Sequence, residues 1–253
     1  MKNILITNDD GFDSKGLLSL LDSLKDIANV IVVAPSSEKS ACGHGLTLRE
    51  PLRFIEIEKN YYKLHDGTPS DCVYLALKTL YKNPPDLIIS GINLGSNMGE
   101  DVTYSGTVAG AMEGALREIP SIAISQVLNK KQNHDFVLAK KVTRDVVIKI
   151  MNSSFPLRGR KLLNINIPDI EINEYKGLKI TELGYRIYGN DAMVNTNPKG
   201  EEYYWLGLHP LNWMERENNN SDFQAIHNGY TSITPLTLNI TSYEDVNTLQ
   251  RWI

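Results

Sequence analysis

Short apolar runs that alternate with helical segments are the feature that most constrains the fold. Five runs have the length and composition of buried strands. They are Ile4–Thr7, Val30–Ala34, Asp86–Ser90, Ser121–Ser125 and Leu162–Ile167. Between them, apolar residues recur at spacings of three and four, which is typical of helices that bury one face. This alternation predicts a mostly parallel sheet between helices, that is, a Rossmann-like, doubly wound α/β fold.

The predicted helices have one apolar face each, which we interpret as core. The first carries Leu17, Leu20, Leu21 and Leu24, the second Val73, Ala76, Leu77 and Leu80, and another spans His134 to Met151. The second helix also has a clear start. Thr68 is a good N-cap, Pro69 suits the first helical position, and Asp71 is placed to reach back to the cap. Asp71 is therefore expected to be structural.

The pattern changes after Pro168, which divides the chain into a catalytic core, residues 1–168, and an appendage, residues 169–253. Extended runs are predicted at Lys179–Glu182 and Glu202–Leu206, between glycines and asparagines. Asn212–Asp222 is polar and is expected to be a surface loop. Thr231–Leu236 predicts a last strand that returns before a C-terminal segment. We expect the appendage to bear a hairpin.

The charge, the apolar stretches and the cysteines of the chain argue against several classes of partner. A net charge of −4 and a pI near 5.8 argue against a nucleic-acid polymer as partner, because such proteins usually present a basic face. No apolar stretch is long enough to cross a bilayer, so no membrane partner is expected. The two cysteines, Cys42 and Cys72, form no C-x-x-C pattern. We therefore expect a cytoplasmic protein without structural zinc.

The first strand ends directly in Asn8-Asp9-Asp10-Gly11. Carboxylates that follow a strand of a parallel sheet lie at the carboxyl edge, where open α/β folds bind their ligands. Asp9 and Asp10 are therefore candidate active-site residues. The alternative is that they only cap the helix that follows, since aspartate is a common N-cap and Gly11 supplies a turn.

Two further segments bring oxygen donors to the ends of other strands. The loop after the second strand contains Ser40 and His44. The turn after the third contains Asn93 and Asn97 among glycines. His44 could act as a general base or steady a phosphate, although an isolated loop histidine is more often simply solvated or hydrogen-bonded.

A helix start with small and hydroxyl residues follows at Ser105-Gly106-Thr107. The free N–H groups and the dipole of a helix N-terminus favour an anion, so this segment suits a bound phosphate. Ordinary N-capping by Ser105 is the alternative.

Adjacent carboxylates with neutral oxygen donors are ligands for a hard cation such as Mg²⁺ or Mn²⁺. Such a cation beside a phosphate-binding helix terminus indicates metal-assisted phosphoryl hydrolysis. The sequence contains neither the Gly-x-x-x-x-Gly-Lys-Ser/Thr motif nor Gly-x-Gly-x-x-Gly after the first strand.

Six motifs occur in an order that strongly resembles the SurE family, the survival-protein nucleotidases. They are Asn8-Asp9-Asp10-Gly11, Glu38-Lys39-Ser40-Ala41, Gly67-Thr68-Pro69-Ser70-Asp71-Cys72-Val73, Ser90-Gly91-Ile92-Asn93, Asn97-Met98-Gly99 and Ser105-Gly106-Thr107-Val108. The match runs from residue 3 to about residue 125 and resumes weakly at Gly229–Leu236. Each motif is unspecific alone, but the ordered set is specific.

The resemblance implies a metal-dependent phosphatase, a 5′-nucleotidase that hydrolyses nucleoside 5′-monophosphates, with 3′-monophosphates and short polyphosphate as further candidate substrates. It also implies a Rossmann-like core whose C-terminal part supports a homodimer or homotetramer by exchanging elements between subunits. Carried over by position, the ligands of one divalent cation per subunit are Asp9, Asp10, Ser40 and Asn93. The residues around the phosphate are Asn97, Ser105, Gly106 and Thr107.

We expect water activated at the cation to attack phosphorus in line, with Asp9 and Asp10 as catalytic residues. A phosphoaspartyl mechanism is an alternative, and it predicts an acyl phosphate that can be trapped. A nucleotide-binding regulatory module without turnover is the alternative from another class. Aromatic residues of the appendage could stack on a base, but we favour a subunit contact because large aromatics are enriched at interfaces. They are Tyr185, Tyr188, Tyr203, Tyr204 and Trp205.

Overall fold

A computed structural model describes residues 1–128, 134–189, 192–206, 211–215 and 220–253. Its strands are β1 (Asn3–Thr7), β2 (Asn29–Pro35), β3 (Arg53–Glu58), β4 (Tyr61–His65), β5 (Leu87–Leu94), β6 (Ser121–Val127), β7 (Lys161–Pro168), β8 (Leu178–Ile180), β9 (Tyr185–Ile187), β10 (Ala192–Thr196), β11 (Glu202–Leu206), β12 (Asn212–Met214) and β13 (Thr231–Thr237). Its α-helices are α1 (Lys15–Leu24), α2 (Pro69–Thr79), α3 (Gly106–Ala115), α4 (Val137–Asn152), α5 (Asp222–His227) and α6 (Tyr243–Trp252). All five predicted strands of the core are present, and β5 runs on to Leu94.

Nine strands form one sheet in the order β3-β4-β2-β1-β5-β6-β7-β13-β8. The pairs from β4 to β7 are all parallel. β1 lies between β2 and β5, so the chain leaves β1 in one direction and later returns to its other side. Ligands of open α/β sheets bind outside the carboxyl ends of the strands at such a switch point, and Asp9 and Asp10 follow β1 there.

Helices cover both faces of the sheet. Ile4 and Ile6 of β1 pack in the cluster that contains the apolar face of α1, together with residues of α4. Leu5, which points the other way because strand side chains alternate, packs with Val73 and Ala76 of α2. α3 packs on that second face through Val108 and neighbouring alanines. The predicted doubly wound α/β fold is confirmed.

The start of α2 is as predicted. The Thr68 side chain accepts from the Asp71 N–H at 3.1 Å, and the Asp71 carboxylate accepts from the Thr68 N–H at 2.9 Å, which is a reciprocal capping box. The start of α4 comes later than predicted, at Val137 rather than His134. His134 instead lies 2.6 Å from the Asp169 carboxylate, just beyond β7.

The chain returns to the sheet at its C-terminal end. β13 lies antiparallel to β7 and parallel to β8, in agreement with the predicted last strand. Two small sheets, β10 with β11 and β9 with β12, stand apart from the main one. Helix α6 buries none of its residues. No helix in the described ranges is long and apolar enough to cross a membrane.

The predicted surface loop at Asn212–Asp222 is wrong at both ends. Asn212–Met214 forms β12, and Asp222 is fully buried at the start of α5. The reason is an aromatic anchor, since Trp213 stacks on Phe223 with ring centroids 5.5 Å apart. Residues 216–219 of this segment lie outside the described residues.

Candidate functional site

Asp9 and Asp10 are not the caps of the helix that follows them. The N-cap of α1 is Ser14, whose hydroxyl accepts from the Leu17 N–H at 3.3 Å. Asn8 supports this turn by donating to the Ser14 hydroxyl at 2.8 Å. The capping alternative is therefore excluded, and both carboxylates are left at the sheet edge.

The Asp9 carboxylate lies against the N-terminus of α3. It is 5% exposed, and its Oδ1 accepts from the Thr107 hydroxyl at 2.5 Å. The helix itself is capped by Ser105, whose hydroxyl accepts from the Val108 N–H at 3.0 Å. Ser105 is thus an N-cap as the alternative supposed, and the first turn of α3 nevertheless faces an anionic group.

Gly106 allows this close approach. A Cβ at that position would lie 2.8 Å from the Asp9 Cβ and 2.9 Å from the Cys42 Sγ. Contacts this short do not occur between real Cβ atoms and such neighbours, so any larger residue would push Asp9 or the loop that carries Cys42 away. The glycine is needed for packing as well as for an open helix terminus.

The two carboxylates are electrostatically unfavourable as they stand. Burial, then the neighbouring Asp9 charge, and also the Glu38 charge, raise the pKa of Asp10 from 3.8 to about 6. Burial raises the pKa of Asp9 as well, and the Thr107 hydrogen bonds only partly oppose this. Within the described part of the chain, no lysine or arginine side chain pairs with either group. The site therefore holds concentrated negative charge that no described lysine or arginine side chain neutralises in an ion pair.

The loop after β2, residues 36–48, brings Ser40 to this edge. The Lys39 N–H donates to the Asp9 backbone carbonyl at 2.7 Å, and the Gly43 N–H donates to the Tyr104 carbonyl at 2.9 Å. Ser40 is exposed, and its hydroxyl donates to the Glu38 carboxylate at 2.6 Å. The loop is therefore fastened beside Asp9, with the Ser40 hydroxyl near the surface.

The end of β5 brings Asn93 to the same edge. The next residue, Leu94, donates its N–H to the Asp10 Oδ2 at 3.3 Å. The Asn93 amide nitrogen donates to the Gly95 carbonyl at 2.9 Å, which leaves its side-chain oxygen available as an acceptor. The four predicted metal ligands come from three separate segments, and hydrogen bonds from the Lys39 and Leu94 N–H groups bring these segments into one neighbourhood.

Asn97 is held by a different set of contacts. It is 7% exposed, and its side-chain amide lies 2.7 Å from the Ser125 hydroxyl on β6. Its backbone is bound by the side chains of Asn164 and Asn166 on β7. The contacts on Asn97 therefore come from the β6 and β7 side of the sheet rather than from the carboxylates.

His44 is bound to the protein. Its Nε2 lies 3.2 Å from the Glu113 carboxylate, which is buried in α3 and is also bound by Arg117 at 3.0 Å. The imidazole therefore ties the 36–48 loop to α3. This agrees with the alternative that a loop histidine is hydrogen-bonded, and it leaves only Nδ1 for another partner.

Several residues of the site were missed from the sequence. Glu38 adds charge beside Asp9 and Asp10, Glu113 holds His44, and Asn164 and Asn166 hold Asn97. A signal was present for the last pair, because two asparagines alternate with apolar residues in Leu162–Ile167. Polar residues within an otherwise buried strand need partners, which is a reason to look for a site.

The donor set fits a hard divalent cation. Two carboxylates, a serine hydroxyl and an asparagine carbonyl are oxygen ligands, which Mg²⁺ and Mn²⁺ prefer. A cation would also neutralise the two carboxylates, whose pKa values are raised chiefly by burial and also by neighbouring negative charge. In the described residues no group of three or more His, Cys, Asp or Glu side chains could hold a metal, so the neutral oxygens are essential to this set.

Comparison with known proteins shows the family to which the chain belongs. A family model described as Survival protein SurE matches residues 4–190. A protein of Helicobacter hepaticus named 5′-nucleotidase SurE is 62% identical over 262 residues, which cover 100% of this chain and 99% of that protein. This chain belongs to the SurE family. Another SurE relative, from Wolinella succinogenes with the same printed name, is 62% identical over 258 residues and 100% of both chains.

The fold agrees with a solved SurE structure. The crystal structure of the SurE protein from Aquifex aeolicus superposes with a TM-score of 0.85 at 41% identity, over 99% of each chain. The structural similarity therefore extends beyond residue 190, where the match to the family model ends.

Proposed function

We propose that this chain is a divalent-metal-dependent 5′-nucleotidase that hydrolyses nucleoside 5′-monophosphates to nucleoside and phosphate. The observation that carries the proposal is the pair Asp9 and Asp10, which lies at the switch point of the sheet without a cationic partner among the described residues. Relatives at 62% identity are named 5′-nucleotidases, which supports the substrate class.

Asp9, Asp10, Ser40 and Asn93 would hold one Mg²⁺ or Mn²⁺ per subunit. When bound, the cation supplies charge neutralisation at the phosphate and a water of lowered pKa. The Thr107 hydroxyl fixes the Asp9 carboxylate, and the Leu94 N–H fixes that of Asp10. Both ligands are therefore oriented before substrate binds, which reduces the cost of reorganisation during the reaction.

The first turn of α3 would bind the phosphate. Ser105 and Gly106 supply hydroxyl and backbone N–H donors at the positive end of the helix dipole, and Thr107 holds the Asp9 carboxylate beside them. Asn97 would add a side-chain contact, and His44, tied to Glu113, would lie at the margin of the substrate site. These donors favour the additional negative charge that develops as water attacks phosphorus in line.

Phosphate release from a panel of substrates tests this proposal. The panel contains nucleoside 5′- and 3′-monophosphates and short polyphosphate, each with Mg²⁺, Mn²⁺ or chelator. We expect release that requires the cation and is greatest with 5′-monophosphates. Asp9→Asn should abolish it, whereas Asp13→Asn, which removes an exposed carboxylate from the same turn, should not.

Two results would contradict the proposal. Full release in chelator would remove the metal from the mechanism. Saturable nucleotide binding without phosphate release under any condition would instead support a regulatory module. A trapped acyl phosphate, seen as a mass increase on a peptide containing Asp9 or Asp10, would replace water attack by a phosphoaspartyl mechanism.

We further propose that the protein acts as a homodimer or homotetramer through its C-terminal part. Helix α6 exposes Val246, Leu249 and Trp252, and hairpin β10–β11 exposes Tyr204 and Trp205. Apolar surface of this extent on separate elements is typical of a subunit contact. Light scattering after size exclusion should give a mass of two or four chains, and removal of residues 243–253 should lower it.

We also propose a cytoplasmic location. Cys42 and Cys72 are both free thiols, which suits a reducing compartment. Cell fractionation with a periplasmic marker as control would test this, and recovery with the periplasmic marker would contradict it.

A further inference from the structure

Strand β7 carries two buried amides on one face. Asn164 and Asn166 are fully buried, while Leu163 and Ile165, which alternate with them along the strand, pack in the apolar cluster on the opposite face. Burying an amide costs free energy unless it is hydrogen-bonded, and an apolar residue of similar volume would avoid that cost. The two amides therefore need a reason beyond packing.

Both amides are bound to the backbone of one residue, Asn97. The Asn166 Oδ1 accepts from the Asn97 N–H at 2.9 Å, and the Asn166 Nδ2 donates to the Asn97 carbonyl at 2.9 Å. The Asn164 Nδ2 donates to the same carbonyl at 2.8 Å. The N–H and C=O of Asn97 are thus both held by side chains of a strand that lies two positions away from β5 in the sheet.

The Asn97 side chain is held separately. Its Nδ2 donates to the hydroxyl of Ser125 at 2.7 Å, and Ser125 is itself fully buried on β6. An amide N–H₂ group carries two donors, and Ser125 accepts from one of them. The second N–H of Asn97 is left to donate to an anion. Ser125 is therefore able to fix the amide in the orientation that a phosphate oxygen requires.

One polar atom of this arrangement is buried at a cost in free energy. The Asn164 Oδ1 has no hydrogen-bond partner among the described residues, although the residue is fully buried. An unpartnered buried acceptor is unfavourable. An asparagine at position 164 is explained by the need for its N–H₂ group to hold the Asn97 carbonyl.

We propose that Asn164, Asn166 and Ser125 are positioning residues that hold the Asn97 amide toward the phosphate of the substrate. This inference rests on the proposed nucleotidase function, in which Asn97 contacts the phosphate. The three residues do not touch substrate. They restrict the backbone and the amide of the residue that does, so binding requires less ordering of that side chain.

Three variants separate positioning from stability. Ser125→Ala removes only the hydroxyl beside the Asn97 amide, and Asn166→Ala removes two of the three bonds to its backbone. Ser232→Ala is the matched control. Ser232 is fully buried on β13, faces Asn166 in register, and its hydroxyl has no partner in the described structure. Each variant is assayed for kcat and KM with a nucleoside 5′-monophosphate and for inhibition by inorganic phosphate.

We expect Ser125→Ala to raise KM and the phosphate inhibition constant by about three- to tenfold, which is the value of one hydrogen bond, with a smaller effect on kcat. Asn166→Ala should raise both constants at least as much, measured on the folded fraction. Ser232→Ala should leave them unchanged. A purely structural role would lower the melting temperature of Ser125→Ala or Asn166→Ala without moving either constant.

The assays distinguish failure of the positioning role from failure of the proposed nucleotidase function. Turnover by the unaltered chain, with both constants of Ser125→Ala and Asn166→Ala within twofold of Ser232→Ala, overturns the positioning role and leaves the nucleotidase intact. Absence of phosphate release from the unaltered chain overturns the function, and the positioning role with it.

Discussion

Replacing Asp10 with asparagine should stabilise the protein when no divalent cation is present. The change removes one negative charge from beside Asp9 and Glu38 and keeps the size of the side chain. The asparagine oxygen can still accept from the Leu94 N–H, which now donates to the Asp10 carboxylate at 3.3 Å. The variant therefore loses a repulsion without losing its backbone contact.

The magnitude follows from the pKa. Burial and the Asp9 charge raise the pKa of Asp10 from 3.8 to about 6. Each pKa unit is worth about 1.4 kcal/mol, so the ionised carboxylate would cost about 3 kcal/mol if it were fully shielded. Asp10 is only partly buried, and solvent screening reduces the expected gain to about 1–2 kcal/mol.

The raised pKa of Asp10 also determines how folding stability changes with pH. Because the folded-state pKa of Asp10 lies above the unfolded value, the folded state binds the proton more tightly. Stability from this group is present at low pH and is lost as the pH rises from 3.8 to about 6. Asp10→Asn has no carboxylate at this position and therefore does not lose stability over this pH range. Its advantage over the unaltered chain should therefore grow between these two pH values and stay constant above about pH 7.

Urea unfolding in chelator over this pH range measures the difference. Asp13→Asn, which removes an exposed carboxylate three residues away, is the control and should show no such growth. Added Mg²⁺ or Mn²⁺ should stabilise the unaltered chain, because the cation binds the folded state and not the unfolded state. It should not stabilise Asp10→Asn, because this variant lacks one of the two carboxylate ligands. An advantage that is absent at neutral pH, or that does not change with pH, would refute the electrostatic reasoning.

Three further changes have defined expectations. Asp222→Ala removes the acceptor of three backbone N–H groups, each at 2.9 Å. It should lower the free energy of unfolding, measured in urea, by about 3–5 kcal/mol. Asp222→Asn should lose less, and equal losses in the two variants would contradict this reasoning. Gly106→Ala should reduce phosphate release by about 10- to 100-fold in steady-state kinetics, because the new methyl group displaces Asp9; unchanged kcat would show that the helix terminus adapts. Thr68→Ala should lower stability by about 1–2 kcal/mol through loss of the capping box, measured by thermal unfolding, whereas a loss as large as that of Asp222→Ala would indicate another role.

The fold could be predicted from the sequence where the signals are local. Strand β1 and its neighbours are short apolar runs, and their alternation with amphipathic helices specifies the parallel sheet. The start of α2 was predictable to the residue, because Thr68, Pro69 and Asp71 each favour one position of a helix terminus through contacts within four residues.

Contacts between distant segments could not be predicted in this way. Periodicity shows which face of a strand a residue occupies, but not which loop lies against that face. Glu113 and His44 are 69 residues apart, and Asn166 and Asn97 are also 69 apart. Asp222 likewise binds Gly99 from a segment whose polar composition favoured a surface loop. In each case the partner is fixed only by the assembled sheet.

The position of β13 has a consequence for the order in which the protein can form during synthesis. β13 lies between β7 and β8, so a nascent chain that ends before Thr231 has β7 as an unpaired edge. β7 is the strand that carries Asn164 and Asn166. An unpaired edge is open to pairing with other chains until it is covered, although β6 already fixes the register of the amides. The edge beside the amides that hold Asn97 is therefore covered only after residues 231–237 have been synthesised.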